Sequence, residues 1–390
     1  MHKGIIEQLR QERRLDRKGY RALLACQDKG MSAGLREAAR EVAEERFGHA
    51  VYIRGLIEIS NICRNDCLYC GIRKSNGNVR RYRLSTDEIL DRCKSGYSLG
   101  FRTFVLQGGE LPDEADAWIE RLCSSVSHEF PDCALTLSLG ERSEESYRRF
   151  FRAGATRYLL RHETRNPEHY ARLHPHEMSL RHRLQCIGTL KAIGYQTGTG
   201  IMVGSPYQTV GDIIEDIRYM EELQPEMIGI GPFIPHRDTP FSGWYSQTDT
   251  VPPSGDERKI MKSDTGLQDT TDRLRDRTDL EDRRLGLTLN LISVFRLMFP
   301  DALIPATTAL ATLTPDGTVQ GILAGANVVM PNLSPATVRK DYSLYDGKAS
   351  EGSEAAEGLG SLKDRLGKNG YRIVTDRGDF SPATFRLEAL

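Results

Sequence analysis

Three cysteines that lie close together are the residues best suited to chemistry. Cys63, Cys67 and Cys70 have the spacing C-x3-C-x2-C and follow directly after the apolar run Val51–Ile59, which predicts the first strand. Thiolates bind soft metals, and three of them in one short loop suit three irons of a 4Fe–4S cube. Three ligands leave the fourth iron open. We interpret the remaining cysteines as small buried hydrophobic residues, and they are Cys26, Cys93, Cys123, Cys133 and Cys186.

A zinc site and three unrelated thiols are the alternatives to a cluster. A structural zinc site has four protein ligands. No cysteine or histidine lies between Cys70 and Cys93, and His49 precedes the strand, so a fourth zinc ligand is hard to find. Three unrelated buried cysteines are the second alternative, which the tight spacing disfavours.

Composition excludes several classes of protein. The chain has 390 residues, of which 39% are hydrophobic and 27% charged, with a formal net charge of −1. Because there is no basic excess, we expect no nucleic-acid partner. No run of about 18 apolar residues is present, so we expect no membrane partner either. Residues 1–14 lack the apolar core of a secretory signal, and we expect a cytoplasmic protein without disulfides.

The elements that position the cysteines alternate between short apolar runs and longer helical patterns. Parallel neighbours need a crossover helix, so this alternation predicts an α/β fold, a complete (β/α)8 TIM-type barrel with an N-terminal helical extension. The predicted strands are Val51–Ile59, Thr103–Leu106, Ala134–Leu139, Tyr158–Leu160, Gly198–Val203, Met227–Ile230, Leu303–Ile304 and Ala326–Met330. The predicted helices are Thr86–Leu99, Glu114–Val126, Glu144–Phe151, Leu180–Ile193, Val210–Leu223 and Leu285–Met298.

An open doubly wound sheet is the alternative architecture. It would carry a glycine-rich phosphate turn after its first strand, and none is present. Gly198, Gly200 and Gly204 have the spacing G-x-G-x-x-x-G, which differs from the dinucleotide-binding pattern.

The pattern divides the chain into three parts. Residues 1–48 form the helical extension, which we predict as two amphipathic helices with Ser32 capping the second. Residues 49–348 form the barrel, with a charged insertion at about 246–284. Between Ser254 and Arg284, 17 of 31 residues are charged, and we interpret this stretch as a solvated surface segment, with partner docking as the alternative. Residues 349–390 are predicted to be a C-terminal linker and tail.

The cysteine spacing, with the aromatic Tyr69 before the last cysteine, resembles the radical S-adenosylmethionine (SAM) superfamily. The resemblance implies a 4Fe–4S cluster whose open iron chelates the amino and carboxylate groups of SAM. It also implies that one electron from the reduced cluster breaks the C5′–S bond of SAM, which gives methionine and a 5′-deoxyadenosyl radical. The three cysteines would then be both metal ligands and catalytic residues.

The same resemblance suggests the residues that contact SAM. Gly108, Gly109 and Glu110, after Gln107, resemble the glycine–glycine–glutamate turn of the superfamily, in which Glu110 supports the turn. An arginine fork matches a carboxylate, which makes Arg183 a candidate for the SAM carboxylate. The complete set of candidates is Tyr69, Gln107, Gly108, Gly109, Glu110, Ser138, Glu163 and Arg183.

A narrower resemblance, to the HydE family of radical SAM maturases of FeFe-hydrogenase, extends from about residue 50 to about residue 348. The segments that carry it are Glu58-Ile-Ser-Asn61-Ile-Cys63, Cys67-Leu-Tyr-Cys70-Gly71-Ile-Arg73, Arg80-Arg-Tyr82-Arg83, Val105-Leu-Gln107, Leu160-Arg161-His162-Glu163-Thr164, Met202-Val-Gly204-Ser-Pro206-Tyr-Gln208-Thr209, Ile230-Gly-Pro232-Phe-Ile-Pro235-His236, Ile304-Pro-Ala-Thr307-Thr308-Ala309 and Gly325-Ala-Asn327-Val-Val-Met330-Pro331-Asn332.

This family resemblance implies a substrate and its binding cavity. The substrate is a small organometallic iron complex with cysteine, carbon monoxide and cyanide, on the route to the di-iron subcluster. Partner maturases and an electron donor are implied as well. The residues expected to line the cavity are Thr136, Arg161, Met202, Thr307, Thr308, Met330 and Tyr345, together with Gln107.

Two departures from the family and three alternative functions complete the interpretation. No cysteine follows Cys186, so the chain cannot build the C-terminal second cluster of some family members, and the charged insertion is atypical. Methylornithine synthase, an amino-acid mutase, is expected to place acidic and basic anchors for a zwitterion in its cavity. Biotin synthase needs cysteines for a second cluster that are not apparent here. A non-catalytic iron–sulfur carrier would not cleave SAM.

The cluster assignment predicts different results for two cysteine substitutions. Cys67→Ala removes one of three ligands, so we expect a folded protein without the 4Fe–4S spectrum and without SAM cleavage. Cys123→Ala is the matched control and is expected to keep both. Electron paramagnetic resonance and a 5′-deoxyadenosine assay after anaerobic reconstitution measure the two properties. SAM cleavage by Cys67→Ala would contradict the assignment.

Overall fold

The structure is a computed structural model, and it describes residues 2–25, 28–243, 270–349 and 352–382. Cys26, residues 246–269 of the predicted insertion and residues 383–390 of the predicted tail lie outside the described residues. Within these ranges, no helix is both long and apolar enough to span a bilayer.

Helices and strands alternate through the middle of the chain. The helices are α1 His2–Glu12, α2 Arg17–Leu24, α3 Lys29–Phe47, α4 Thr86–Ser98, α5 Asp116–Glu129, α6 Glu144–Arg152, α7 Pro167–Leu173, α8 Leu180–Ile193, α9 Val210–Leu223, α10 Thr270–Met298, α11 Thr308–Leu313, α12 Gly317–Leu323, α13 Ala336–Arg339 and α14 Leu359–Gly367. The strands are β1 Ala50–Ile53, β2 Gly55–Ser60, β3 Thr103–Gly108, β4 Ala134–Ser138, β5 Ala155–Leu159, β6 Gln196–Thr199, β7 Met202–Val203, β8 Met227–Ile228, β9 Gly231–Pro232, β10 Val328–Val329 and β11 Arg372–Val374.

A parallel sheet forms the centre of the molecule. Its six strands have the order β2-β3-β4-β5-β6-β8, and each paired neighbour runs parallel. Two smaller parallel sheets have the orders β10-β1-β11 and β7-β9. Isolated parallel bridges connect Met227 to Leu303, Pro305 to Val328, and Leu56 to Asn332. The predicted α/β fold with a parallel sheet is confirmed.

The two faces of the sheet differ in character. Phe104, Leu106, Leu135 and Leu137 belong to the main hydrophobic core, together with residues of the covering helices such as Ile119. Because side chains alternate along a strand, the residues between them face the other way. On that opposite face, the strand register aligns Glu58, Gln107 and Ser138 side by side.

Parallel strands also bring their carboxyl ends to one edge. The cysteine loop follows Ser60 at the end of β2, and Gly108 and Ser138 end the next two strands. Arg161 lies two residues beyond the end of β5. The fold thus places at one edge several residues that the sequence separates by about a hundred positions, as in other parallel α/β folds.

Three predictions about helices are wrong. The N-terminal extension contains three helices instead of two, and Ser32 lies inside α3. Asp28 caps that helix, because its side chain accepts a hydrogen bond from the Gly30 amide. The predicted helix Leu285–Met298 begins earlier, at Thr270, so the end of the charged insertion belongs to α10. Arg284 there is buried and donates from Nε to the Gly204 carbonyl, which a detached solvated segment would not do.

The C-terminal segment contains regular structure where a linker and tail were predicted. Strand β11 pairs in parallel with β1, with Ile373 opposite Val51. Helix α14 buries Leu359, Leu362 and Leu366 in the main core. The prediction was wrong because β11 is three residues long and its pairing partner lies more than 300 positions away, so no local pattern reveals it.

The packing of α14 predicts a loss of stability. Leu366 is 0% exposed, so we expect Leu366→Ala to lower the free energy of unfolding by about 2–5 kcal/mol. Leu99 is 45% exposed, and Leu99→Ala is the matched control with an expected change within about 0.5 kcal/mol. Urea denaturation followed by circular dichroism measures both. An equally small change for Leu366→Ala would mean that α14 does not belong to the core.

Candidate functional site

The cysteine loop is held by one arginine that lies after it in the sequence. Arg81 donates from Nη1 to the carbonyls of Asn61 (2.7 Å) and Ile72 (2.8 Å), and from Nη2 to those of Arg73 (2.6 Å) and Asn76 (3.1 Å). Guanidinium carries five donors in a fixed plane, so one side chain binds carbonyls from both ends of the loop. The loop path is therefore fixed by hydrogen bonds to its backbone.

A second fixed point lies inside the loop. Arg73 donates twice to Asp66, from Nε and Nη2, with both distances 2.7 Å. The Ser75 amide adds a bond to the same carboxylate at 3.0 Å. The hydrogen bonds from Arg73 lower the pKa of the Asp66 carboxyl well below its usual range. This carboxylate stays charged and holds the middle of the loop.

The loop is also tied to the body of the protein. The Leu68 amide donates to the Leu173 carbonyl at 2.9 Å, and the Gly71 amide to the Leu344 carbonyl at 2.8 Å. A Cβ on Gly71 would lie 2.4 Å from the His236 ring, so only glycine fits there. Segments near residues 173, 236 and 344 therefore surround the cysteines.

All three cysteines are half-buried, and none is in a disulfide. Burial raises the pKa of Cys63 and, with the neighbouring thiols adding to it, that of Cys67. Burial and the charge of Cys63 raise the pKa of Cys70 to about 12. Because a metal binds thiolates, it must displace the protons that these thiols otherwise keep.

The spread of the three sulfurs distinguishes a cluster from a single ion. Two sulfurs on one zinc ion, each about 2.3 Å from it, are at most about 4.6 Å apart. Within the described ranges, the triad whose ligand atoms all lie within 4.8 Å of one another is a different one, Glu141, His182 and Cys186. Cys63, Cys67 and Cys70 do not form such a triad in the described structure, so at least two of their sulfurs lie farther apart than two ligands of one zinc ion.

The glycine–glycine–glutamate turn packs directly on the cysteine loop. The Gly109 amide donates to the Ser60 carbonyl at 2.9 Å. Glu110 is buried and accepts from Arg64 Nε at 2.7 Å and from the Glu141 amide at 2.8 Å. Glu110 thus joins the cysteine loop to the segment after β4. Both carboxylate oxygens of Glu110 have protein partners, and its role in supporting the turn stays a prediction.

Gln107 and Ser138 are neighbours in the strand register, on the face away from the helices. Gln107 donates from Nε2 to the hydroxyl of Tyr342 at 3.3 Å. Thr136 lies on the same face of β4, two residues before Ser138, and its buried hydroxyl has no hydrogen-bond partner in the described structure. The predicted SAM-binding and cavity residues are therefore adjacent on these strands.

Arg161, Glu163 and Arg183 form one group after β5. Arg183 is buried, donates from Nη1 to the Arg161 carbonyl at 2.7 Å and pairs through Nε with Glu141. Arg161 Nη2 lies 2.9 Å from Glu163 Oε2. That ion pair lacks hydrogen-bond geometry, so both atoms keep unused hydrogen-bonding capacity. Glu163 also has a φ of 64°, a left-handed conformation that is rare outside glycine.

Tyr69 and Met202 pack on the far side of the cysteine loop. The Tyr69 hydroxyl lies 3.2 Å from His174 Nε2, and His174 stacks on Tyr170 with ring centroids 3.9 Å apart. Burial lowers the pKa of His174 to about 3, so the ring is neutral. Met202 lies in a small apolar cluster against which Leu68 and Tyr69 pack. Met202 is thus next to the loop.

The remaining cavity candidates divide into two groups. Thr307 occupies the N-cap position of α11 without a side-chain cap bond, and its Oγ1 has no partner in the described structure. Thr308 and Tyr345 lie close to Thr312 of the same helix. Met330 packs against another apolar cluster, which includes the start of β8. Its place in the cavity stays a prediction.

Several residues of the site were not predicted from the sequence. Arg81, Glu141 and His174 hold predicted residues in place, yet each is a common polar type without distinctive spacing. Tyr342, which accepts the bond from Gln107, is three residues from the predicted Tyr345. Lys348 is paired with buried Glu58 on β2. The one signal available in the sequence was Glu58 itself, because a glutamate inside an apolar strand needs a buried partner.

The contact between Gly109 and the loop predicts a loss of cluster. A Cβ at Gly109 would lie 2.3 Å from the Ile62 carbonyl oxygen and 2.9 Å from Cys63 Cβ, so Gly109→Ala is expected to displace the first ligand. Gly77 has no atom within 4 Å of an added Cβ, and Gly77→Ala is the matched control. We expect iron and sulfide per chain after reconstitution to fall at least about twofold in Gly109→Ala only. Equal iron contents in the two variants would contradict this role of the turn.

Comparisons with known proteins agree with this geometry. The family model of the radical SAM superfamily matches residues 57–220. The [FeFe] hydrogenase maturase subunit HydE of Thermotoga maritima is 39% identical over 344 residues, 88% of this chain and 87% of that protein. The 3-methylornithine synthase of Methanosarcina barkeri is 29% identical over 84% of this chain and 82% of its own. The crystal structure of methylornithine synthase (PylB) has a TM-score of 0.74 at 26% identity, covering 95% of this chain and 97% of that one. The chain therefore belongs to the HydE family of [FeFe] hydrogenase maturases within the radical SAM superfamily, whose enzymes use a 4Fe–4S cluster and SAM.

Proposed function

We propose that this maturase acts on a small iron complex with cysteine, carbon monoxide and cyanide ligands during assembly of the di-iron subcluster. The observation that carries the proposal is 39% identity to a HydE maturase across nearly the whole chain. The polar strand face that begins at the cysteine loop supports it. Partner maturases and an electron donor belong to the same proposal.

Separate groups of residues are assigned to the cluster and to SAM. We assign Cys63, Cys67 and Cys70 as cluster ligands. Bound together, the cluster and SAM supply reductive cleavage of SAM to a 5′-deoxyadenosyl radical. Arg183, oriented by Glu141, is assigned to the SAM carboxylate, because its rigid fork matches a carboxylate and its Nε is already fixed. The remaining SAM contacts are assigned to Tyr69, Gln107, Gly108, Gly109, Ser138 and Glu163, with Glu110 supporting the turn.

The substrate site is assigned to donors that lack partners. The buried Oγ1 atoms of Thr136 and Thr307, and Nε and Nη2 of Arg161, make no hydrogen bond within the described chain. Buried polar atoms usually have partners, so unpaired ones suggest a missing ligand. Cyanide nitrogens and an amino-acid carboxylate both accept hydrogen bonds, which matches this set of donors. Thr308, Met202, Met330 and Tyr345 complete the proposed lining.

Closure of the sheet into a complete (β/α)8 barrel is part of the proposal. Three parallel bridges support it, since they extend the six-stranded sheet through residues 303–305 and 328–332 and return to Leu56 on β2. Closure would make the polar strand face an interior wall. The radical would then be shielded from solvent, as this chemistry requires.

A mutase reaction like that of methylornithine synthase is the second candidate, and sequence and fold similarity favour it. Such a site needs free acidic and basic anchors. The buried pair on the polar face, Glu58 and Lys348, is already engaged: Glu58 also accepts from Asn332 Nδ2 at 3.0 Å, and Lys348 also donates to the Tyr342 carbonyl at 3.2 Å. Neither of these two groups is free to bind a zwitterion, and the maturase is favoured by the higher sequence identity, 39% against 29%.

The cysteine ligands also suggest where the protein works. Cysteine thiols stay reduced in the cytoplasm, and an iron–sulfur cluster of this kind requires oxygen-poor surroundings. We therefore propose an oxygen-poor cytoplasm as its compartment.

One assay separates the two functions. The anaerobically reconstituted protein is reduced with dithionite and supplied with SAM, and 5′-deoxyadenosine is measured with the iron–cysteine–carbon monoxide–cyanide complex or with a mixture of the common amino acids. We expect the iron complex to increase 5′-deoxyadenosine formation and to be consumed. Formation of 3-methylornithine from the amino acids would instead establish the mutase.

The assignment of Arg183 predicts a loss of SAM affinity. Hydrogen bonds to charged groups contribute about 1.5–3 kcal/mol, so Arg183→Gln should weaken SAM binding about 10- to 100-fold. Arg183→Lys, which keeps the charge, should weaken it less. Arg181 is exposed two residues away, and Arg181→Gln is the control with unchanged affinity. Equilibrium binding to the reconstituted protein measures all three, and unchanged affinity in Arg183→Gln would contradict the assignment.

A further inference from the structure

A group of three ligand-type side chains lies beside the proposed SAM site, and only Glu141, which holds Arg183, also belongs to that site. His182 and Cys186 are four residues apart on α8, so their side chains lie on one face of the helix. Glu141 belongs to the segment between β4 and α6 and faces them. From the sequence alone, Cys186 is expected to be a buried hydrophobic residue.

The three side chains converge closely. Cys186 Sγ lies 3.6 Å from His182 Nε2, and His182 Nε2 lies 3.4 Å from Glu141 Oε2. The three ligand atoms are all within 4.8 Å of one another. Ligands on one zinc ion, at about 2.0–2.3 Å from it, are separated by similar distances.

We propose that Glu141, His182 and Cys186 bind one zinc-like divalent ion, separate from the iron–sulfur cluster. Thiolate, imidazole and carboxylate are the ligand types that zinc takes in proteins. The carboxylate and the thiolate bring two negative charges to the ion, and Arg183 shares that of Glu141. Three protein ligands leave a fourth position for water.

The surroundings give this site a supporting shell and an entry path. Glu141 uses Oε1 for Arg183, so Oε2 is the oxygen that remains for the ion. The Glu141 amide is fixed by Glu110 at 2.8 Å, which orients the ligand from behind. Glu141 and Cys186 are buried, while the His182 side chain is 59% exposed. An ion can therefore enter past His182 and bind to two side chains that are already in place.

The ion would join α8 to the segment after β4. Both Arg183 and Glu141, which form a buried pair, lie at this junction. The metal proposal rests on the geometry of the triad and not on the proposed function.

Zinc binding to the full-length protein tests the proposal. The reconstituted protein is incubated anaerobically with zinc chloride, desalted, and assayed for zinc and iron per chain. We expect about one zinc with unchanged iron. Zinc K-edge absorption should show one sulfur at about 2.3 Å and nitrogen or oxygen ligands at about 2.0–2.2 Å. No retained zinc, or a zinc with three sulfurs, would overturn the proposal.

Matched variants locate the ion. His182→Gln is at an exposed position and tolerates the change, and Cys186→Ser keeps the size of the side chain. Each is expected to weaken zinc binding at least about tenfold. Exposed His176 and half-buried Cys133 provide the controls His176→Gln and Cys133→Ser, with unchanged binding.

A variant without the cluster cysteines distinguishes zinc bound at the proposed site from zinc bound by the cysteine loop. Replacement of Cys63, Cys67 and Cys70 by alanine should leave the zinc in place. Zinc that disappears in this variant but persists in His182→Gln belongs to the cluster loop, and that result would contradict the proposal.

Discussion

The site depends on four backbone carbonyls that one guanidinium holds together. The cysteine loop needs its thiols spaced for a cluster, and it has few large apolar side chains to bury. Arg81 binds carbonyls at residues 61, 72, 73 and 76, so both ends of the loop are fixed by one planar group. Each bond to a charged donor contributes about 1.5–3 kcal/mol. Lysine, with a point charge and three donors, could not span these four carbonyls in one plane.

The fixed path of the cysteine loop also determines the positions of residues at the carboxyl ends of the neighbouring strands. Gly109 fits against the loop only because it lacks a Cβ, and Glu110 then connects Arg64 to Glu141. Glu141 in turn holds Arg183, which donates to the Arg161 carbonyl. A continuous set of contacts thus joins the ends of β2, β3, β4 and β5. Displacement of the cysteine loop would therefore shift the positions of the residues proposed to contact SAM.

The sequence revealed those parts of the molecule that local patterns encode. The cysteine motif, the alternation of strands and helices, and helices such as Thr86–Leu99 were predicted without the structure, which shows that Ser85 and Glu88 cap that helix. Residues that act across long separations were not. Arg81 looks like any other arginine until its carbonyl partners are known, and β11 becomes a strand only through β1. Asp28, and not Ser32, caps α3. Since both residue types favour the N-cap, residue type alone could not decide between them.

The atoms without partners are the strongest physical argument for a ligand at this edge. A buried donor or acceptor left unpaired costs about 1–3 kcal/mol, and a non-glycine residue at positive φ adds about 1–3 kcal/mol. Glu163 has both features, and Arg161, Thr136 and Thr307 share the first. Unpaired buried atoms also occur elsewhere in the described chain, for example on Arg54, Arg142 and Arg157, whereas Glu58, Lys348 and Tyr342 on the polar strand face have their partners within the chain. A bound molecule that paired with Thr136, Thr307 and Arg161 would offset this cost, which is how these atoms support the proposed substrate site. In the proposed function, residues with partners inside the chain hold the site, whereas Arg161 and Glu163, which are paired with each other at 2.9 Å, turn their unused hydrogen-bonding capacity toward the ligands.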